Sequence, residues 1–536
     1  MKKSFFFVAI FLPFLGFAQP NFSLKITPVT FNDFPGLHSF THGMDSEDNW
    51  IIIGGRTDGL HQRQPFASFD PAFNNLSIYK IDIQNKILKE ATINGLDPDL
   101  VDQLQSSNME YFQVGTRLYL IGGYGFSTIS QAFVTYPSMI VVDLETLSAA
   151  IEDGNPIAPA FTRIEDSRMA VTGGQLQYIN GKFLLIGGHK FDGAYNPHGP
   201  THGPGFSQEY TNEIRTFEVD LQSPTPQITS YDAVFDETNL HRRDYNLAPQ
   251  IFENDELGLT AFSGVFQHNV DLPFLNIVDI KQSGYTVNND FNQLLNQYHT
   301  AHMTIYSSQN QRNTNVFFGG IGQYYFNDQN QMINDTDVPF VKTVSVVERD
   351  KDGNLTEYRM PFEMPGYLGA SAEFIPLSST PVYKNLIFDE DALGEGQEIL
   401  LGYIVGGIES TKPNILFDNG SNLSSASTKI FEVKYTGGVS QTKEAIPTNS
   451  GNPLQVSVSP VPANENLDVK FTIAEKGLVW FMLQDTSGKL VKTWHAEMPS
   501  EGTFSSQFEV AEYPKGNYFF TLSSGKYLRT VKLILQ

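Results

Sequence analysis

The chain is 536 residues long with 13% aromatic and 18% charged residues, a balance that supports a large buried core and excludes a disordered chain. Its formal net charge is −24, from 35 basic and 59 acidic residues, and no basic stripe runs through it, which excludes nucleic acid held by phosphate contacts. With no cysteine it is neither disulfide-stapled nor anchored through a lipidated N-terminal cysteine, so its stability rests on packing alone.

Lys2-Lys3 precede an apolar stretch from Phe5 to Phe17, and Gly16-Phe17-Ala18 sets small residues where a signal peptidase cuts. Residues 1–18 therefore read as a signal peptide, with cleavage before Gln19. No later run approaches the about 20 apolar residues of a membrane span, so the mature protein is expected to be exported, soluble and without a transmembrane segment. The segment from Phe22 to Val29 reads as a strand with no hairpin partner of its own.

Five Gly-Gly pairs then close short apolar runs: Ile51-Ile52-Ile53-Gly54-Gly55, Leu120-Ile121-Gly122-Gly123, Leu185-Ile186-Gly187-Gly188, Phe317-Phe318-Gly319-Gly320 and Ile404-Val405-Gly406-Gly407. The third interval is about twice the first two, and near its middle stands a degenerate sixth copy, Leu259-Thr260-Ala261-Phe262-Ser263-Gly264. Repetition at this period signals an array of like supersecondary units. Upstream of a copy lies an extended run and a tight turn, as in Tyr111-Phe112-Gln113-Val114 before Gly115-Thr116, or Gln175 to Ile179 before Asn180-Gly181, which reads as a hairpin. Downstream comes a third strand, such as Ser77 to Asp82, Met139 to Asp143 or Lys429 to Val433, and then a polar fourth.

Six such units resemble the kelch β-propeller family, whose repeat sets a strand ending in Gly-Gly before a strand carrying an aromatic and then an acidic residue. The family's usual Trp near each repeat's end is missing, the three tryptophans being Trp50, Trp480 and Trp494. The resemblance implies an all-β fold with a six-bladed propeller over residues 19–445. A propeller must close without an open edge, so the Phe22 to Val29 strand is expected as the outer strand of the sixth blade, with Val439 to Ala445 as the alternative.

After Lys434-Tyr435-Thr436-Gly437-Gly438 the chain turns polar and turn-rich, and residues 446–452 read as a linker. Residues 453–536 carry an independent β pattern expected to form a small β-sandwich. This block resembles the C-terminal sorting domain of cargo for the type IX secretion system. The carrying residues are Ser459-Pro460-Val461-Pro462-Ala463-Asn464, Asp485-Thr486-Ser487-Gly488-Lys489-Leu490-Val491, Pro514-Lys515-Gly516-Asn517-Tyr518 and a last strand with Lys532. Val461 stands where an Asn usually separates the two prolines. The resemblance implies the secretion machinery as a partner, passage through the periplasm and a place outside the cell.

No G-x-S-x-G elbow, H-E-x-x-H, Walker loop or G-x-G-x-x-G after a strand is present. Galactose oxidase shares the kelch scaffold, but its cofactor needs a cysteine joined to a tyrosine, which this chain cannot supply. No cofactor is expected. His198 and His202 have a helical metal-site spacing, yet the surrounding glycines and prolines forbid the helix, so no metal site is expected there. Asn334-Asp335-Thr336-Asp337 lacks an EF-hand's spacing and reads as a solvated loop.

Polar residues where each innermost strand begins are the candidates for a ligand site: His42, Glu110, Arg168, Arg242, Arg243, His299, His302 and Glu373, with His38 and Asn108 beside them. Converging arginines would hold a carboxylate, with Glu or His carrying a proton. In outline this resembles the kelch-type sialic-acid mutarotases, N-acetylneuraminate epimerases with six blades, whose catalytic residues map onto no motif here. The loop from His189 to Glu213 departs most from the repeat, and Tyr195, Phe206 and Tyr210 in it offer stacking faces to a sugar. The expectation is a binding module for a glycan or protein, with a sugar-processing epimerase as the alternative and a purely structural surface protein third.

Overall fold

A computed structural model describes residues 22–536 except 198–202, 204, 268–269, 328, 419–421, 440, 442, 447–453, 474–475, 486–489 and 525–526. The expected signal peptide and most of the expected linker lie outside the described residues. The protein is nearly all β, and its strands fall into units that follow the Gly-Gly repeat.

The first sheet is Thr41–Met44, Trp50–Ile53, Ser77–Asp82 and Ile87–Thr92, antiparallel throughout and hydrogen-bonded in that order. Four more sheets repeat the order, with inner strands Ser107–Val114, Gln175–Ile179, Asn246–Ile251 and His302–Ser307. The sixth has Glu373–Pro376 innermost, then Glu398–Val405 and Ile430–Gly437, and its fourth strand is Phe22–Val29. Phe22 pairs with Gly437 and Val29 with Ile430, so the chain's first described strand completes the last sheet. The alternative for that edge, Val439 to Ala445, goes elsewhere: Glu444–Ala445 adds to the outer edge of the fifth sheet, and the Ile446 N–H donates to Glu357 O at 2.9 Å.

Apolar side chains of neighbouring sheets interdigitate. Ile51, Ile53 and Ile78 of the first sheet pack with Leu118, Leu120 and Ile140 of the second, each fully buried. The helix Leu144–Asp153 seals this layer; Asp143 caps it by accepting from the Thr146 N–H at 2.9 Å, and Gly154 ends it at φ 68°.

The glycine pairs serve the joins between sheets. A Cβ on Gly122, at φ 63°, would stand 1.9 Å from Val171 O of the following unit, and the N–H of Gly123 donates to that same oxygen at 2.9 Å. Gly55 makes the equivalent bond to Ser106 O at 3.0 Å, Gly188 to Arg242 O at 2.8 Å, and Gly407 returns from the sixth sheet to Leu37 O ahead of the first at 2.8 Å. In the degenerate copy the Ser263 hydroxyl takes over, donating to Asn296 O at 2.7 Å.

The C-terminal residues form two antiparallel sheets around one core. Gln455–Ser459, Asn466–Ile473 and Gly502–Glu509 make one, and Leu490–Met498, Gly477–Asp485, Gly516–Ser524 and Tyr527–Leu535 the other. Leu467, Phe471, Phe481, Phe520, Leu522 and Leu533 fill the space between. The proline-rich motif has a mechanical role here. Ala463 donates to Ile534 O and accepts from the Gln536 N–H, both at 2.8 Å, clasping the last strand.

Candidate functional site

Two or three residues ahead of each inner strand, or at its second residue in the second sheet, the backbone is left-handed: Ser39, Asn108, Gly173, Asp244, His299 and Ser371, with φ between 43° and 70°. Polar residues and glycine tolerate this conformation, and none of the six is β-branched. Together they form a hydrogen-bonded belt. Asn108 N–H donates to Ser39 O, Thr172 Oγ1 to Asn108 O, Asp244 N–H to Gly173 O, Thr300 N–H to Asn246 Oδ1, Ser371 N–H to His299 O, and Ser39 N–H to Ser371 O.

Beyond the belt the six inner strands surround a cavity of about 470 Å³, within the about 300–1,000 Å³ of small-molecule sites. Each sheet contributes: His42 and Met44, Glu110 and Tyr111, Gln175 and Gln177, Asn246 and Leu247, His302 and Thr304, Glu373 and Phe374. Phe40, Phe112, Tyr245 and Phe388 add aromatic surface.

Burial sets the protonation of this site. The Glu110 carboxyl is 4% exposed; burial pushes its pKa up to about 8 against the pull of the Gly174 N–H, which donates to Oε1 at 2.8 Å. Glu373 is likewise raised by burial to about 7, opposed by the Tyr111 hydroxyl, which donates to Oε2 at 2.8 Å. Burial lowers His42 to about 4 and holds His302 below the usual imidazole value. His42 meets the Tyr111 ring edge-on at 5.1 Å, and His302 lies against backbone carbonyls, Nδ1 3.1 Å from Thr300 O and Nε2 3.4 Å from Leu247 O. At neutral pH the imidazoles carry no charge, Glu110 stays largely protonated and Glu373 is near its midpoint, while Asp244 at the belt stays ionised beside Arg243.

Of the residues singled out from the sequence, His42, Glu110, His299, His302 and Glu373 come together in this cavity, with Asn108. The three arginines do not. Arg168 sits on the outside, 40% of its side chain exposed, paired with Asp166 and laid over the Tyr231 ring at 4.2 Å. Arg242 braces the fourth unit from within: it lies 3.9 Å over the Phe274 ring and donates to Asn239 O at 2.9 Å, to Ser263 O at 2.6 Å and to the Asn276 side-chain oxygen, which spends its guanidinium away from the cavity. Arg243 stands near the belt but does not line the cavity; it is paired with Asp244, and its Nε donates to the Tyr210 hydroxyl at 3.1 Å. Burial raises the Asp244 carboxyl, but Arg243, His299 and His189 outweigh it and hold the group below the ordinary aspartate value. His299 Nδ1 is 3.6 Å from Asp244 Oδ1.

Tyr111 and Asp244 were not among the expected site residues. Tyr111 lies one position past Glu110, inside an apolar-looking run, and only the pairing register turns it to Glu373. In the loop after His189 the expected stacking faces are used within the protein: Phe206 stacks on Phe191 at 4.7 Å, Tyr210 on His241 at 3.7 Å, and Tyr195 meets His61 edge-on at 4.7 Å. His198 and His202 lie outside the described residues. The Asp335 carboxylate accepts from Asp337 N–H at 2.9 Å and Asn414 Nδ2 at 3.0 Å, and among the described residues no three His, Asp or Glu side chains gather around a metal position.

Two solved structures are similar over long stretches. A structure of YjhT is 12% identical, covering 75% of this chain and 98% of that one at a TM-score of 0.41. A fungal alcohol oxidase of the AA5 family, in complex with copper, is 10% identical, covering 96% and 98% at a TM-score of 0.38. Scores this low carry no argument for the site. No curated protein matches the sequence. Residues 457–536 match the secretion system C-terminal sorting domain, and the chain therefore ends in a type IX sorting domain that engages the secretion machinery and sends the protein to the cell surface or the extracellular space.

Proposed function

We propose that residues 19–445 form a kelch-like six-bladed β-propeller and that it is a binding module displayed outside the cell, its central cavity taking the end of a glycan or another small uncharged sugar. The six like sheets, the belt that links their inner strands and the Gly407 bond back to Leu37 support the propeller.

The cavity lining carries the ligand class. Carboxyl, imidazole, amide and phenol groups stand among aromatic faces, the mixture that satisfies sugar hydroxyls and packs on ring C–H surfaces. Among the described residues no lysine or arginine lines it, so an acidic sugar would find no counter-charge. This moves the reading away from the sialic-acid mutarotases and toward neutral sugars.

One observation favours an enzyme as the second reading: the buried Glu110 and the half-buried Glu373 both have raised pKa values in one cavity, a pattern common to proton-transfer sites. A sugar epimerase is the form it would take. Glycan-array screening of the exported protein, with NMR anomer exchange on each sugar that binds, separates the two. Saturable binding with no change in exchange rate supports the module. Accelerated exchange that is lost in Glu373→Gln establishes the enzyme, and an array with no binder removes both.

A further inference from the structure

In the repeat, a tight turn joins each inner strand to the next; Gly115-Thr116 and Asn180-Gly181 suffice. In the sixth sheet residues 377–397 stand in that place. They form a small hairpin, Val382–Lys384 with Ile387–Asp389, followed by the helical turn Glu390–Leu393. The hairpin does not stay with its own sheet. Ile387–Asp389 pairs in parallel with the inner strand of the fifth sheet, Ile387 opposite Thr304 and Asp389 opposite Tyr306, on the edge that faces the cavity.

It is pinned on two sides. The Tyr383 hydroxyl donates to Asp255 Oδ1 at 2.9 Å, and Lys384 Nζ to Asp255 O at 2.8 Å, both on the turn of the fourth sheet. The Asp391 carboxylate accepts from Ser307 Oγ at 2.8 Å and from the Ser308 N–H at 2.7 Å on the fifth. Its base is buried, with Ile387 0% and Phe388 1% exposed. Its tip differs: the Asn385 amide reaches to 3.5 Å from Gln177 Oε1 on the inner strand of the third sheet, and Leu386 is 48% exposed while lining the cavity. The hairpin thus runs from the fifth sheet past the fourth to the third, at the end of the cavity opposite the belt.

We infer that this hairpin is a bar across that end of the cavity and that Leu386 at its tip selects what enters, admitting a single sugar ring or a chain end and turning away the middle of a longer glycan. The ligand class rests on the binding reading above; the bar rests on the pairing and pins alone. Apolar and half exposed at the passage rim, Leu386 presents a hydrophobic edge to an entering sugar ring, the position of a gatepost. The pins make it a fixed feature with a rigid base, so the passage width is set by one side chain.

The absence of cysteine gives a direct test on the full chain. A Gln175→Cys variant places one thiol in the cavity, and its reaction with methanethiosulfonate reagents of increasing size reports the passage. Leu386→Trp is expected to slow labelling by a small reagent roughly tenfold, and Leu386→Ala to speed a bulky one by a similar factor, with folding checked by circular dichroism. Lys384→Ala, which loosens the pin without touching the base, is expected to speed the bulky reagent too. Equal rates in all three would overturn the proposal, since access would then lie elsewhere. Titration with a monosaccharide and with a cyclic oligosaccharide of the same sugar, which has no chain end, adds the ligand arm. Leu386→Ala is expected to raise the affinity for the cyclic sugar relative to that for the monosaccharide roughly tenfold. Labelling that follows Leu386 with no sugar bound by any variant would leave the bar standing and remove the sugar reading.

Discussion

The Tyr111 hydroxyl and the Glu373 carboxyl meet at 2.8 Å, tying the inner strand of the second sheet to that of the sixth past the first. Tyr111 is the donor, and among the described residues Glu373 is its one hydrogen-bond partner in the cavity wall. Tyr111→Phe leaves a half-buried carboxyl without its donor and is expected to cost about 1 kcal/mol of stability in chemical denaturation. Glu373→Gln keeps an acceptor at the same place and should cost less. An unchanged midpoint for Tyr111→Phe would show that water replaces the hydroxyl freely.

Raised carboxyl pKa values make stability depend on pH in a defined direction. Glu110 and Glu373 bind their protons more tightly folded, at about 8 and about 7, than at the ordinary 4.5. Their contribution is complete below pH 4.5, declines as pH rises from there, and levels off above the folded values. Glu110→Gln, neutral at every pH and still able to accept from Gly174, is expected to raise the melting temperature at pH 8 relative to wild type and to leave it near wild type at pH 4. A gain equal at both pH values would contradict the assignment.

Gly122 and Gly115 both have positive φ, 63° and 59°, but a Cβ on Gly122 would strike Val171 O while one on Gly115 meets nothing within 4 Å. Gly115→Ala is expected to cost about 1 kcal/mol from the left-handed backbone alone. Gly122→Ala must also push two units apart and is expected to exceed about 3 kcal/mol. Thermal denaturation of the pair separates conformational strain from the join between sheets.

Lys443 Nζ pairs with Glu348 at 3.0 Å, their side chains 0% and 7% exposed, where the segment after the sixth sheet crosses the edge of the fifth. Lys443→Met strands a buried carboxylate and is expected to destabilise by about 3–5 kcal/mol. For the same reason a chain cut after Ile446 is expected to fold, while one cut before Lys443 is expected to aggregate; size-exclusion chromatography of the two checks it.

Export is expected to depend on the last strand. Tyr527–Leu535 supplies Leu533 and Leu535 to the core of the sorting domain and is clasped by Ala463. Deleting residues 527–536 should leave the protein inside the cell, read by fractionation and blotting; continued appearance in the medium would contradict a role for this strand in sorting.

The sequence by itself determined what local chemistry controls. Alternating apolar residues and turn steps such as Asn180-Gly181 define strands and hairpins. The Gly-Gly pairs mark where only glycine fits, because positive φ and a neighbouring carbonyl coincide, as at Gly122. The sorting domain was legible for a similar reason: its proline-rich motif, at Ala463, clasps the last strand of a closed core.

Only the tertiary structure decided which polar side chains share a site. Arg168 and Arg242 precede the inner strands of the third and fourth sheets as cavity residues do elsewhere, but one lies over Tyr231 of the third sheet with its end toward solvent and the other over Phe274 of the fourth unit, side chains far away in sequence. Part of the polar signal at the strand starts proves conformational, since Asn108, Asp244 and His299 hold the left-handed backbone of the belt. Tyr111 and the hairpin tipped by Leu386 reach the cavity through contacts between distant segments, Tyr111 with Glu373 and Ile387 beside Thr304, and no local pattern encodes a pairing across such separations.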